Sequence, residues 1–392
     1  MTTSTVAAVS PTGTTPPARI AIVGTSWWVE RMHVPALLSH PVAEIAAVCG
    51  RDAGRAAALA DHVAAAGHAQ PVVETRWEAL VRRPDLDAVI VAVPDDLHRA
   101  VTEAALDAGL HVCCEKPLAH SAADARALRA AADRRDRLAM TYFTYRWLPH
   151  YRLARALVRG DAAAGIAPRV GRVRQLQLSF VSAMGRGAGG GTFMPAPRDP
   201  WRQDPARSGG VLTDLGTHAA DLVRMMAGEV TRVAASVRGD AAGALTGATS
   251  NAVVMALEGC GASGKAWHGA VQLCTAADVG DRGLLQSLVV VGDAATLTLE
   301  VTVQGANVRL HAGGRTETVE SPAAYGGGGA HPFAVFTTLP VGTRLFADAV
   351  ARMRAGDAEW ASFADGVAAQ ALVDAAQRSA ASDRWETVPS TP

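Results

Sequence analysis

The chain has 392 residues, 49% hydrophobic and 19% charged, with Lys+Arg and Asp+Glu both 37. At roughly 100–200 residues per domain, this length predicts two or three domains with enough apolar residues to bury cores, and excludes a disordered chain. Zero net charge argues against nucleic acid or an anionic membrane surface as the main partner, and no apolar run approaches the ~20 residues that span a bilayer.

In chain order, residues 1–18 are rich in Thr, Ala and Pro, with no basic segment before Arg19 and no continuous apolar stretch. They read as a disordered tail rather than a signal peptide, and the chain as cytoplasmic. From Arg19, short apolar runs at 19–24, 43–50, 72–74, 87–94, 111–115 and 138–144 alternate with helix-length stretches at 34–39, 53–66, 77–82, 97–108 and 122–134. Such βαβ alternation predicts a parallel, doubly wound α/β sheet of Rossmann type over 19–145, covered on both faces.

After a helix at 150–158 the pattern changes. Runs at 170–180, 230–237, 252–257, 266–274, 284–291, 296–303 and 307–310 read as strands, many with alternating polarity, interrupted by a helix at 214–226 and followed by helices at 343–354 and 363–382. This predicts a C-terminal α+β domain over 146–392 with a large, open antiparallel sheet. The Gly/Pro-rich stretch 183–200 reads as a lid or binding loop. Five cysteines without C-x-x-C spacing predict no disulfide framework, and the 12 histidines show no metal-ligand spacing, so no metal is expected.

The first strand runs into Gly24-Thr25-Ser26-Trp27-Trp28-Val29. This is the place of the dinucleotide fingerprint G-x-G-x-x-G, in which backbone N–H groups at a helix N-terminus cradle a pyrophosphate. Ser26 stands for the second glycine and Val29 for the third, and an ordinary βα turn with two core tryptophans fits the same residues. After the second strand comes Cys49-Gly50-Arg51-Asp52. An NAD-selective site carries an acid there for the ribose 2′-hydroxyl. Arg51 suits a 2′-phosphate instead, which predicts NADP in preference to NAD, with Asp52 as a helix cap.

The strongest signal starts at Pro94 and His98 and continues through Glu115-Lys116-Pro117, Arg146-x-x-Pro149, Trp201-Arg202 and the run from Gly209 to Asp221 that contains Asp214, Gly216 and His218. With these motifs the chain resembles the Gfo/Idh/MocA family of oxidoreductases over residues 19–387. The resemblance implies a catalytic pair, Lys116 and His218, with the acid Asp214 beside them. It also implies that Pro94, His98 and Glu115 hold the nicotinamide half of an NAD(P) cofactor, that Trp201 and Arg202 reach the cofactor, and that a homo-oligomer (dimer or tetramer) forms through the open sheet face. The chain departs from the family at Ser26–Val29 and at Val93, where many members carry Thr.

The residue chemistry agrees. Oxidising a secondary alcohol requires a hydride acceptor and a base, and histidine is the side chain poised nearest neutral pH. An ammonium stabilises developing alkoxide, and a carboxylate orients its partner. Asp214, His218 and Asp221, at i, i+4 and i+7, share one helix face. The bland alternatives are a capping Asp with a solvated His, and a surface lysine at a strand end. The second is opposed by composition: Lys116 and Lys265 are the only lysines among 37 basic residues, and arginine, bulkier and permanently protonated, does not replace lysine in such a role. Tyr145, Arg146 and Tyr325 are further candidates for substrate contact, whereas Tyr142, Cys113 and Cys114 read as core and His33 with Pro35 as helix packing.

The expected function is NAD(P)-dependent oxidation or reduction of a secondary alcohol or ketone on a sugar-like or cyclitol-like small molecule. Two other classes fit the same machinery. An NAD-dependent glycosidase would cleave an aryl glycoside by transient oxidation without net change in NAD(P)H. A non-catalytic NAD(P)-binding sensor is opposed by the joint presence of Lys116, Asp214 and His218.

Overall fold

Six apolar strands alternate with helices through the first part of the chain: β1 (Ala18–Val23), α1 (Val34–Leu38), β2 (Ala43–Cys49), α2 (Ala53–Ala65), β3 (Val72–Glu74), α3 (Trp77–Leu80), β4 (Ala88–Val91), α4 (His98–Asp107), β5 (His111–Glu115), α5 (Ala122–Arg135) and β6 (Ala139–Tyr142). The computed structural model describes residues 17–182, 207, 208, 210–239, 252–275, 277, 279, 280, 284–325, 341–353 and 360–390. All neighbouring strands of this sheet are parallel, in the order β3-β2-β1-β4-β5-β6. Alternate side chains enter opposite cores: Ala21, Val23, Val89, Val91 and Cys114 on one face, and Ile20, Ile22, Ile90 and Cys113 on the other. That double burial explains the continuous apolar runs. Ala18, expected in the tail, is instead the first residue of β1, buried and donating its N–H to Val42 O at 2.9 Å.

The remainder comprises α6 (Pro149–Arg159), β7 (Val173–Ser182), α7 (Val211–Asp214), α8 (Gly216–Ala227), β8 (Glu229–Arg238), β9 (Ala252–Cys260), β10 (Ala266–Cys274), β11 (Leu284–Gly292), β12 (Thr296–Thr302), β13 (Gly305–Ala312), β14 (Arg315–Thr318), α9 (Val341–Arg352), α10 (Phe363–Ser382) and β15 (Glu386–Thr387). These strands form one sheet in the order β14-β13-β12-β11-β7-β10-β9-β8-β15. It is mixed rather than wholly antiparallel, because β7 and β10 run parallel. Helix α8 lies between β7 and β8 in the chain, and β8 runs the same way as β7; the two antiparallel pairings β8–β9 and β9–β10 then leave β10 parallel to β7. The four- and two-residue strands β14 and β15 carry too little periodicity to be read from sequence. One sheet face buries Leu176, Leu178, Phe180, Val271 and Leu273 against α6, α8 and α10, while Gln177, Val254, Ala256 and Ala270 lie exposed on the other.

Two C-terminal helices join the sheets. Helix α9 packs on α1 and β1, and α10 packs on α5 and β6 as well as on α8 and β8. The segment entering α10 also closes the edge of β6: Thr141 N donates to Ala361 O at 2.7 Å, and Met140 bridges Ser362. An edge paired in this way offers no template to another strand. The stretch 183–200 and the Trp201-Arg202 pair lie outside the described residues. Among the described residues, no helix is long and apolar enough to cross a membrane.

The strand order reverses between β1 and β4, and the carboxyl ends of strands at such a reversal are where doubly wound sheets bind ligands. Gly24, just past β1, has φ +133°, and a Cβ there would lie 2.2 Å from Ala92 O at the end of β4. Gly67 has φ +88° with nothing near a Cβ. Gly67→Ala is therefore expected to lose only the strain of a left-handed non-glycine residue, about 1–3 kcal/mol. Gly24→Ala adds a backbone collision and should lose clearly more. Urea denaturation midpoints compare the two, and equal losses would show that β1 and β4 do not approach this closely.

Candidate active site

The turn after β1 is pressed against both neighbouring strands. Gly24 N donates to Cys49 O at 2.9 Å, and a Cβ on Gly50 would lie 2.6 Å from the Thr25 methyl. Glycine at both positions lets these backbone segments approach one another closely at the start of a helix. Ser26 Oγ accepts from Val29 N at 3.4 Å, and Arg55 donates to Thr25 O at 2.6 Å. Asp52 caps α2 by accepting from Arg55 N at 3.0 Å, while Arg51 is exposed beside it. The indoles of Trp27 and Trp28 meet edge to face at 5.5 Å. The helix starts at Trp27, with Glu30 N donating to Ser26 O at 3.2 Å, and continues through a π-helical turn, Val29–His33.

The ends of β4 and β5 form the neighbouring wall. Pro94 precedes a short 3-10 turn, Asp95–Leu97, which leads into α4. His98 is buried, with Nδ1 2.6 Å from Pro117 O and Nε2 2.9 Å from Val93 O. Carbonyl oxygens only accept, so both ring nitrogens carry protons and the imidazole is a cation. Burial opposes that charge, but the adjoining Cys114 thiol, the Asp95 carboxylate and the Pro117 carbonyl outweigh it and push His98 up to about 10. Both donors of His98 are thus taken up in tying the chain after β4 to the chain after β5. Glu115 points its Oε1 at Trp28 Nε1, 2.6 Å away, and at His33 Nε2, 3.0 Å away.

Lys116 reaches out of this wall to the other domain. Its Nζ donates to Asp214 Oδ1 at 2.5 Å and to Asp214 O at 2.9 Å. Both side chains are nearly buried. Asp214 ends α7, and His218 follows four residues on in α8, buried, with its ring 4.5 Å from that of Tyr145 and 6.2 Å from that of Phe143. Residues ahead of α7 are tied to the β4 wall: Ser208 donates to Asp95 at 3.1 Å, and Arg207 pairs with Asp96 at 3.1 Å. Lys116, Asp214, His218 and Tyr145 are therefore grouped along one seam between the domains.

Two candidates for substrate contact lie elsewhere in the bonding pattern. Arg146 is buried in an ion cluster: its guanidinium pairs with Asp221, donates to Trp360 O at 3.0 Å and lies 3.4 Å from Asp365. Burial disfavours its charge, but Asp221 and Asp365 outweigh that penalty and raise its pKa further. Tyr325 donates to Asp161 Oδ2 at 2.5 Å, just past the C-terminal end of α6, and its ring lies under the Arg152 guanidinium, 4.2 Å away, alongside that helix. Tyr145 lies just before the opposite end of that helix. Sequence reasoning missed Asp221 as the partner of Arg146, Asp95 and Asp96 as anchors, and His33 as a ligand of Glu115. Only Asp221 carried a signal, its i+7 place on the face of Asp214. Among the described residues, no group of three or more His, Cys, Asp or Glu is placed to hold a metal ion.

Residues 18–143 match a family described as an oxidoreductase family with an NAD-binding Rossmann fold, and residues 154–298 match the GFO/IDH/MocA C-terminal domain. The chain belongs to the GFO/IDH/MocA family. Among its curated relatives, D-xylose 1-dehydrogenase (NADP(+)) 2 of Haloferax volcanii is 32% identical over 215 residues, 55% of this chain and 59% of the relative. A dTDP-3,4-didehydro-2,6-dideoxy-alpha-D-glucose 3-reductase of Streptomyces violaceoruber is 35% identical over 222 residues, 56% of this chain and 57% of the relative. The matched span is thus somewhat over half the length of each. Levoglucosan dehydrogenase in complex with NADH shares the fold with a TM-score of 0.76 at 21% identity, covering 95% of this chain and 99% of that one. The aldose-aldose oxidoreductase of Caulobacter crescentus complexed with glycerol does so with a TM-score of 0.73 at 22% identity, with coverage of 95% and 99%.

In this GFO/IDH/MocA member, Arg146→Met would leave Asp221 buried without its main partner. The expected loss is about 3–5 kcal/mol in denaturant unfolding. Arg146→Met combined with Asp221→Leu should lose less than the single change, because no buried charge is stranded. A double variant as unstable as the sum of the two singles would show that the pair does not act as one unit.

Proposed function

We propose that this chain is an NAD(P)-dependent oxidoreductase that moves a hydride between the nicotinamide and a secondary alcohol or ketone carbon of a sugar-like or cyclitol-like small molecule. The observation that carries this reading is the Lys116 ammonium, held by Asp214 across the seam beside His218. Family membership and the sugar dehydrogenases and reductases among the relatives support it.

The cofactor, when bound, supplies the hydride acceptor or donor. The turn Gly24–Trp28 would hold its pyrophosphate, with Pro94 and Glu115 beside its nicotinamide. Asp214 accepts two hydrogen bonds from Lys116, which leaves a third ammonium proton without an acceptor among the described residues. That proton is available to a substrate oxygen, where the positive charge stabilises a developing alkoxide. His218, whose Nδ1 is buried, exchanges the hydroxyl proton at Nε2. Tyr145 packs against the imidazole and restricts its rotation.

A panel of sugars, cyclitols and keto-sugars, assayed by absorbance of the reduced nicotinamide with both cofactors, tests the activity. His218→Ala is expected to lower turnover roughly 10²–10⁴-fold with cofactor affinity largely kept. Lys116→Arg should be nearly as damaging as Lys116→Ala, since guanidinium keeps the charge but neither the size nor the proton chemistry. Full activity in Lys116→Arg would leave lysine chemistry without a role.

For the cofactor, the absence of an acid at the end of β2 and the exposed Arg51 favour NADP. Arg51→Ala should weaken NADP binding by about 1.5–3 kcal/mol, the range for a hydrogen bond to a charged group, and leave NAD nearly unchanged. Equal loss for both in a binding titration would remove the 2′-phosphate role.

A further inference from the structure

Glu115 has its carboxylate loaded on one side. Oε1 accepts from both Trp28 Nε1, at 2.6 Å, and His33 Nε2, at 3.0 Å, whereas Oε2 accepts from nothing among the described residues. The two donors are five residues apart. At 3.6 residues per turn, side chains five apart in an α-helix diverge by about 140° and do not reach the same atom. The turn between them is π-helical, closed by Val34 N donating to Val29 O, and this i→i+5 spacing brings residues five apart onto one face. The irregular turn is therefore what lets both donors meet one oxygen.

His33 is in turn fixed from behind. It is fully buried, and its Nδ1 lies 2.9 Å from Thr343 Oγ1 on α9, which is 3.1 Å from the Tyr142 hydroxyl on β6. A carboxylate only accepts, so His33 Nε2 carries a proton toward Glu115. Three elements thus hold the Glu115 side chain in one orientation, next in sequence to Lys116.

We propose that Trp28 and His33 are positioning residues for the nicotinamide carboxamide: by occupying Oε1 they leave Oε2 of Glu115 as the acceptor for the carboxamide N–H. This rests on the dinucleotide-binding reading given above. It extends that reading by making Trp28 act at the nicotinamide end of the site rather than only beside the phosphates. A site built to accept an N–H discriminates against a ligand that lacks it, because its buried acceptor is then left unmatched.

The test compares the natural oxidised dinucleotide with its 3-acetylpyridine analogue, which carries a methyl group in place of the carboxamide nitrogen, by calorimetric titration. No substrate is required. The wild-type protein should bind the natural cofactor roughly tenfold to a hundredfold more tightly, the worth of one hydrogen bond to a charged group. Trp28→Phe and His33→Leu should each shrink that ratio at least about threefold by weakening the natural cofactor alone, and His33→Gln, which retains an N–H donor, should keep it. Equal losses for both ligands would mean a merely structural role and would overturn the proposal, as would a wild-type ratio near one. Trp28→Phe decides the matter by itself if His33→Leu does not fold, since Trp28 is only partly buried. Wild-type protein that binds neither dinucleotide would instead overturn the cofactor reading itself.

Discussion

A single buried guanidinium sets the relation between the parts of this molecule. Arg146 lies in the 3-10 turn after β6, and its partners Asp221, Asp365 and the Trp360 carbonyl belong to α8, to α10 and to the segment leading into α10. Once a charge is this deeply buried, its partners must be held close, because an unmatched ion in a low-dielectric interior is far more costly than a matched pair. Arg224 completes the cluster by bonding Asp365 at 3.0 Å and Glu229 at 2.6 Å. Against burial, which would raise it, Arg146 and Arg224 hold the Asp365 carboxyl below the usual range. Helix α8, which carries His218, is thereby anchored to the end of the parallel sheet one turn away from the imidazole.

The polar groups along the seam divide by what their donors and acceptors already serve. His98, Asp95, Asp96 and Arg146 are engaged with the protein itself, His98 by clasping the ends of two strands and the acids by anchoring Ser208 and Arg207. Lys116 and Glu115 retain unsatisfied capacity: one ammonium proton and one carboxylate oxygen among the described residues. A preorganised site needs both kinds, since groups that act on a ligand work best when their neighbours are immobile. The family resemblance placed His98 among the residues that hold the nicotinamide half; its two ring nitrogens bond to backbone carbonyls, of Pro117 and Val93.

The turn after β1 illustrates how a departure from a consensus is accommodated. Glycine is kept at Gly24, where φ and the approach of Ala92 O leave no room for a side chain. Ser26 replaces the second glycine and accepts from Val29 N, and a π turn, Val29–His33, follows directly after the first helical residues. Trp28 and His33, on either side of this turn, both bond Glu115 at the end of β5.

How much was legible beforehand follows from the range of each signal. The sequence alone determined the two sheets, the crossover from parallel to alternating strands, Gly24 as the first glycine of the turn, and Lys116 as a lysine kept where arginine is otherwise the rule. Those signals are local: a period, a turn residue, a composition. The tertiary structure alone decided that Arg146 pairs with Asp221, that the Tyr325 hydroxyl donates to Asp161, that the second sheet contains a parallel pair, and that His33 meets Glu115. These partners stand 75 residues apart for Arg146 and Asp221, 164 for Tyr325 and Asp161, and 82 for His33 and Glu115. The physical reason is that a buried polar side chain is defined by whichever group completes its hydrogen bonds. No periodicity records that choice, because it is made only when distant segments pack and exclude water.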